Sequence, residues 1–290
     1  MANKAPAWVM PVMRAGHAAR GLVYTVVGAL ALLAALNGGA AEGTRGALGA
    51  IRNETWGVAL LWVIAIGLLA YALWRWIDSL MDLDAHGHDL KGSVARAGLL
   101  VTGAIHAALG VSVARIALQG GSGGQSGAES MTARVLELPY GVWLVAAVAI
   151  ATIGAGVYYA RKGAKGLYRE DIRTTRVTQR LDPLMKAGFV AQGGVVATIG
   201  VFILFAAMAS DASEAGGLGA VFGEVRSQPY GRILLGALAL GLLAFAAENF
   251  IEAIYRIVPR RAGDEIETLA SRMKREARHA ARKSADAVGH

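Results

Sequence analysis

The chain of 290 residues contains no cysteine, and only 17% of it is charged. Without cysteine there are no disulfides, thiolate metal sites, cysteine nucleophiles or iron–sulfur clusters. Soluble domains usually carry about 25% charged residues, so a water-facing surface of ordinary size is not provided for. Also missing are a nucleophile elbow, a phosphate-binding loop, a metalloprotease helix and a kinase signature. Residues 120–130 are rich in glycine and serine, but no lysine follows at the spacing a phosphate loop needs. No catalytic residues, cofactor or metal site are therefore expected, and the reading is of a non-enzymatic protein.

Apolar residues are abundant, at 55% of the chain with a mean hydropathy of +0.45. They fall in long blocks. A membrane-crossing helix needs about 20 mostly apolar residues, because the hydrocarbon core is about 30 Å thick and each residue rises about 1.5 Å. Six segments satisfy this: 21–36, 56–77, 94–118, 139–160, 187–209 and 230–254. The first is short unless residues 15–20 extend it, with Arg20 reaching toward the interface. It is too long for a cleaved leader, and it is read as retained.

The net charge of +8 is distributed unevenly. All Lys and Arg residues except Arg45, Arg52, Arg115, Arg134, Arg226 and Arg232 belong to the termini and the even-numbered connections. The positive-inside rule then predicts a multi-pass protein of the bacterial inner membrane with both termini cytoplasmic. The basic charge is assigned to the membrane, and no nucleic-acid partner is expected.

The chain repeats itself. The odd spans begin RAGHAARGLVYTVVG, RAGLLVTGAIHAALG and KAGFVAQGGVVATIG, each with glycines 2, 7 and 14 residues after a basic residue. The even spans begin TWG, PYG and PYG. The division is 1–92, 93–182 and 183–260 for the three repeats, with 261–290 as a basic tail. Each repeat crosses twice, so all three run in the same direction and are related by an axis along the membrane normal. The expected architecture is all-α, a pseudo-threefold bundle of six helices. Gly21 and Gly28, Gly103 and Gly110, and Gly193 and Gly200 share a helix face. Small residues allow close helix approach in lipid, so these faces are assigned to helix packing, with a glycine-lined path as the alternative. Each loop before an even span suggests a short amphipathic helix capping the bundle.

The motifs AGHAARGLVY, GLGAV, PYG and GLLAFAAEN resemble a bacterial membrane family catalogued as domain of unknown function 1206, over roughly residues 14–255. The resemblance implies a six-helix membrane protein and transfers no activity.

Two groups of polar residues stand out. Arg20, Tyr24, Thr102, His106 and Gln192 occupy equivalent positions on the odd spans and are expected to form a polar layer, because polar groups in lipid face the protein interior. Interhelical hydrogen bonding is the alternative to a ligand site. Glu248, Asn249 and Glu252 lie near the cytoplasmic end of the last span. Arg20 and Glu248 are at compatible depths and are expected to pair, directly or through one water. The segment DLDAHGHDLKG, with Asp82, Asp84, His86, His88 and Asp89, lacks a metal-ligand spacing. The tail places Ile266, Leu269, Met273, Ala277 and Ala280 on one stripe opposite basic residues, which suits anionic inner-leaflet lipid. A channel- or transporter-like role for a small solute or ion is the first functional reading, and a structural or interaction protein using the basic tail is the second.

Overall fold

The computed structural model describes residues 6–38, 43–119, 127–258, 268, 271–275 and 278. Six long helices dominate it: α1 (Val9–Asn37), α3 (Gly57–Met81), α4 (Leu90–Gln119), α6 (Gly141–Lys165), α8 (Asp182–Ala209) and α10 (Gly231–Tyr255). All six are long and apolar enough to cross a membrane. Each loop before an even span folds into a short helix: α2 (Thr44–Arg52), α5 (Gly127–Leu136) and α9 (Leu218–Ser227). A further short helix, α7 (Arg176–Arg180), lies in the basic connection. The tail positions Ile266, Leu269, Ala277 and Ala280 lie outside the described residues, and Met273 is exposed.

The first span begins earlier than hydropathy suggests, at Val9 rather than near residue 21. Arg14, His17 and Arg20 are helical, because His17 and Arg20 are buried against other helices and need no exit to the interface. At its far end, α1 stops at Gly38, whose φ is +84°. The carbonyls left over there are taken by repeat three. Arg226 donates to the Gly38 carbonyl, and Arg232 donates to those of Leu36 and, at 2.9 Å, Ala35. These bonds satisfy acceptors that a helix terminus leaves unpaired.

The turns into α6 and α10 share one geometry, and the turn into α3 differs, with Trp56 at φ −96°. Tyr140 and Tyr230 adopt left-handed φ values of 63° and 61°. The glycines that follow, Gly141 and Gly231, lie against the carbonyls of Val135 and Arg226, and Gly57 lies against that of Ile51. A side chain at any of the three would collide with backbone.

The packing order around the bundle is α4–α3–α1–α10–α8–α6. The paired glycines explain it. Gly103 and Gly110 lie against the Ala72 and Ala65 carbonyls of α3, both at 3.1 Å from an added Cβ. Gly193 and Gly200 lie against Gly156 and Ile153 of α6, and Gly21 and Gly28 against Phe250 and Leu243 of α10. Each odd span thus packs closely on the even span of the preceding repeat, and α1 closes against α10. Toward the short helices, the interior is apolar. Val27, Ala31, Leu61, Ile64, Val113 and Leu235 belong to one buried cluster there.

Candidate functional site

Buried polar residues gather in the half of the bundle that carries the termini. Arg20, eleven residues into α1 and so about 17 Å along its axis, is 6% exposed. Its Nη1 donates to the Tyr71 hydroxyl at 2.9 Å, and the same hydroxyl accepts from Arg75 Nε at 2.8 Å. The guanidinium carbon lies 4.7 Å from the Tyr71 ring centre, 5.4 Å from that of Phe245 and 5.9 Å from that of Tyr24. These aromatic faces attract a cation and supply part of what water would. Arg20 Nε has no hydrogen-bond partner.

The five residues of the expected polar layer do not all meet. Gln192 Nε2 donates to the Tyr24 hydroxyl at 3.1 Å, joining repeats one and three, while its Oε1 is buried and unpartnered. The His106 ring sits 4.5 Å from the Tyr71 ring, centre to centre, and its Nδ1 lies 2.8 Å from the Thr102 carbonyl. Thr102 turns away and donates to its own helix at Gly98.

Arg20 and Glu248 are within electrostatic range of each other but form no direct hydrogen bond or ion pair. Phe245, one turn before Glu248 on α10, occupies the surface that α10 presents to the guanidinium. Glu248 is 1% exposed and instead accepts from Asn249 Nδ2 at 3.1 Å. The polar closure of the ring is made one turn further on. Glu252 Oε2 lies 2.9 Å from His17 Nδ1, and its Oε1 accepts from Arg256 Nη1 at 2.8 Å. Arg256 Nη2 reaches Asp84 Oδ2 at 2.6 Å. One chain of contacts therefore links α1, α10 and the loop after α3.

Burial alone would raise the Asp84 carboxyl, but the adjacent Arg256 guanidinium holds it below the ordinary carboxylate value. Burial likewise opposes the charge on Arg256, and Asp84, Glu252 and Asp171 together keep it protonated well above its ordinary value. In repeat two, Lys162 pairs with Asp171 at 3.3 Å, and Arg169 grips Asp182 through two bonds of 2.7 and 2.5 Å.

The loop containing His86 and His88 is built as a turn. Asp82 accepts from the backbone of His86 and Gly87, Asp89 accepts from Gly92, and His88 Nδ1 lies 3.1 Å from Arg96. Among the described residues, no group of three His, Asp or Glu side chains is placed to hold a metal.

Sequence reasoning missed His17, Tyr71, Tyr159, Lys162 and Arg256. A signal for some of them exists in the even spans. Counting 18 and 21 residues from Gly57, Gly141 and Gly231 gives Arg75 and Asp78, Tyr159 and Lys162, and Asn249 and Glu252. Polar residues recur in register, one turn apart on one face. A groove lined by Leu32, Ala35, Leu36, Arg232, Ile233 and Gly236 lies at the opposite end, away from these groups.

The chain is 28% identical over 253 residues to an uncharacterized protein of Bacillus subtilis (strain 168), YxxB, covering 86% of this chain and 92% of the relative. No solved structure matches it significantly. Three successive matches to one family model, over residues 15–82, 97–166 and 187–256, coincide with the three helix pairs, and the chain belongs to that family, described as Domain of Unknown Function (DUF1206).

Proposed function

We propose that this multi-pass membrane protein binds a small anionic group at Arg20, in a transporter-like rather than a channel-like manner. One observation carries the reading. Arg20 is a buried cation whose nearest polar partner is a neutral tyrosine hydroxyl and whose Nε is unpartnered. An arginine inside the membrane is costly unless paired, and it marks a functional position more often than a structural one. The apolar cluster toward the short helices supports a one-sided site and argues against an open pore. The basic residues support an inner-membrane placement with both termini cytoplasmic, so the site is reached from the cytoplasmic half. The same reading assigns the basic tail to anionic lipid and gives the protein no catalytic step.

The cysteine-free chain makes the test direct. Gln192→Cys in inside-out vesicles is expected to react at least tenfold faster with an anionic methanethiosulfonate than with a cationic one. Inorganic phosphate should slow the anionic reagent, and Arg20→Gln should remove the preference. Equal rates for both reagents, or equal access from both sides of the membrane, would overturn the proposal.

A further inference from the structure

The pseudo-threefold ring is incomplete, and it is broken at one equivalent interface. Within repeat one, Gly16 of α1 meets the Tyr71 backbone of α3, with an added Cβ falling 2.6 Å from Tyr71 Cα. Within repeat three, Gly188 of α8 meets Phe245 of α10 in the same way, with an added Cβ falling 2.6 Å from Phe245 N. Tyr71 and Phe245 each stand 14 residues after the glycine that starts their span. The corresponding residues of repeat two are Gly98 and Ala155. Gly98 has nothing within 4 Å of an added Cβ, and Ala155 is exposed. α4 packs on α3 and α6 packs on α8, but α4 and α6 form no packed interface with each other. A slot therefore separates the two helices of repeat two. Val101, Ile105 and Ala151 on its walls are exposed.

The slot leads to the polar layer. His106 from α4, Tyr159 from α6 and the buried carboxyl group of Glu248, which forms no ion pair with it, are within electrostatic range of Arg20, and the His106 ring lies 4.5 Å from that of Tyr71. Arg20 is the guanidinium that Tyr71 and Phe245 flank in the closed interfaces, whereas the equivalent residue of repeat two, Ala155, carries no ring. An apolar slot at hydrocarbon depth that ends on a buried, incompletely partnered cation has the chemistry of a site for an anion carrying an apolar chain. A protein helix in the slot would leave Arg20 Nε unpartnered unless it brought an acid to that depth. An anionic phospholipid combines the two parts in one molecule. We propose that the opening between α4 and α6 admits an anionic phospholipid laterally from the bilayer, with an acyl chain between the two helices and the phosphate on Arg20. This rests on the reading of Arg20 as an anion site and names the class of its ligand.

The probe is phosphatidylglycerol with a diazirine near the glycerol end of one acyl chain, added at low fraction to phosphatidylcholine vesicles containing the full chain. After irradiation, adducts are expected on the facing surfaces of α4 and α6, at Val101, Ile105, Ala151 and Ala155. Unlabelled phosphatidylglycerol should suppress them at least fivefold, and added phosphatidylcholine should not. Arg20→Gln should abolish this selectivity. Gly98→Trp fills the slot from a position where an added Cβ meets nothing within 4 Å, and it should remove the adducts while the thermal midpoint is kept. It decides the question even if Arg20→Gln fails to fold. Adducts spread evenly over all lipid-facing surfaces, or unchanged in Gly98→Trp, would overturn the proposal. So would a disulfide between two copies of Gly98→Cys, which would show the slot covered by a second chain. If inorganic phosphate slows the anionic thiol reagent but phosphatidylglycerol gives no selective adducts, the anion site stands and the lipid assignment falls. If neither ligand has an effect, both fall.

Discussion

Removing Arg256 should cost more than removing any exposed charge in the chain, and the loss should shrink as pH falls. Arg256 is 6% exposed and sits between Glu252 at 2.8 Å and Asp84 at 2.6 Å. Arg256→Met leaves two buried carboxylates without their shared cation. Breaking a buried pair by deleting one partner costs about 3–5 kcal/mol, because the remaining charge is uncompensated. Exposed pairs cost about 0–1 kcal/mol. In the wild-type protein Asp84 is held below its ordinary value. Its contribution is therefore present above an unfolded pKa of about 3.9 and is lost as pH falls through the lower folded value. In Arg256→Met burial, the largest influence on Asp84, is opposed only by Arg75, Lys162 and the hydrogen bond to Asp78, and burial raises a carboxyl. The folded variant then binds a proton at Asp84 more readily than the unfolded chain does, so relative to the wild type it should gain stability between pH 7 and about 4. Unfolding by sodium dodecyl sulfate in mixed micelles, followed by tryptophan fluorescence, measures both quantities. Asp84→Asn should cost less in the Arg256→Met background than alone, by about 0.5–3 kcal/mol, since the two residues touch. A loss below about 1 kcal/mol at pH 7, or a variant that weakens with acid in parallel with the wild type, would refute the reasoning.

Other outcomes follow from the packing. Gly103→Leu and Gly193→Leu should each lose at least about 1–3 kcal/mol, the usual cost of overpacking, because a side chain there strikes the backbone or side chains of the neighbouring span. Gly98→Leu should be nearly neutral in the same thermal assay, since it meets open space. Arg232→Met should loosen the end of α1 by removing donors to two of its last carbonyls. Faster hydrogen exchange confined to residues 34–37 would show this, and unchanged exchange would count against it. For orientation, an impermeant thiol reagent on intact cells should label Glu54→Cys and leave Lys165→Cys unlabelled; the reverse pattern would invert the topology.

The sequence alone determines the six spans, the three parallel repeats and the glycine faces. These are properties of one helix at a time. Hydrocarbon thickness sets span length, and a spacing of seven places Gly103 and Gly110, or Gly193 and Gly200, on one side whatever lies opposite. The short capping helices were legible for the same reason. The site was legible only in part. Depth along a helix can be counted from sequence, and that count is what matched Arg20 with Glu248. Azimuth around the bundle cannot be counted, and it gave Arg20 to Tyr71, put Phe245 in front of Glu248 and left Glu252 for His17. Nor does repetition in sequence guarantee repetition in contact. Gly16, Gly98 and Gly188 are equivalent in the pattern, yet only the first and last are covered. Both neighbours of repeat two, α3 and α8, hold its helices outward through their own close-packed interfaces. Six helices bound in sequence around a ring can satisfy those contacts without closing the last one, and only the tertiary structure decides which interface stays open.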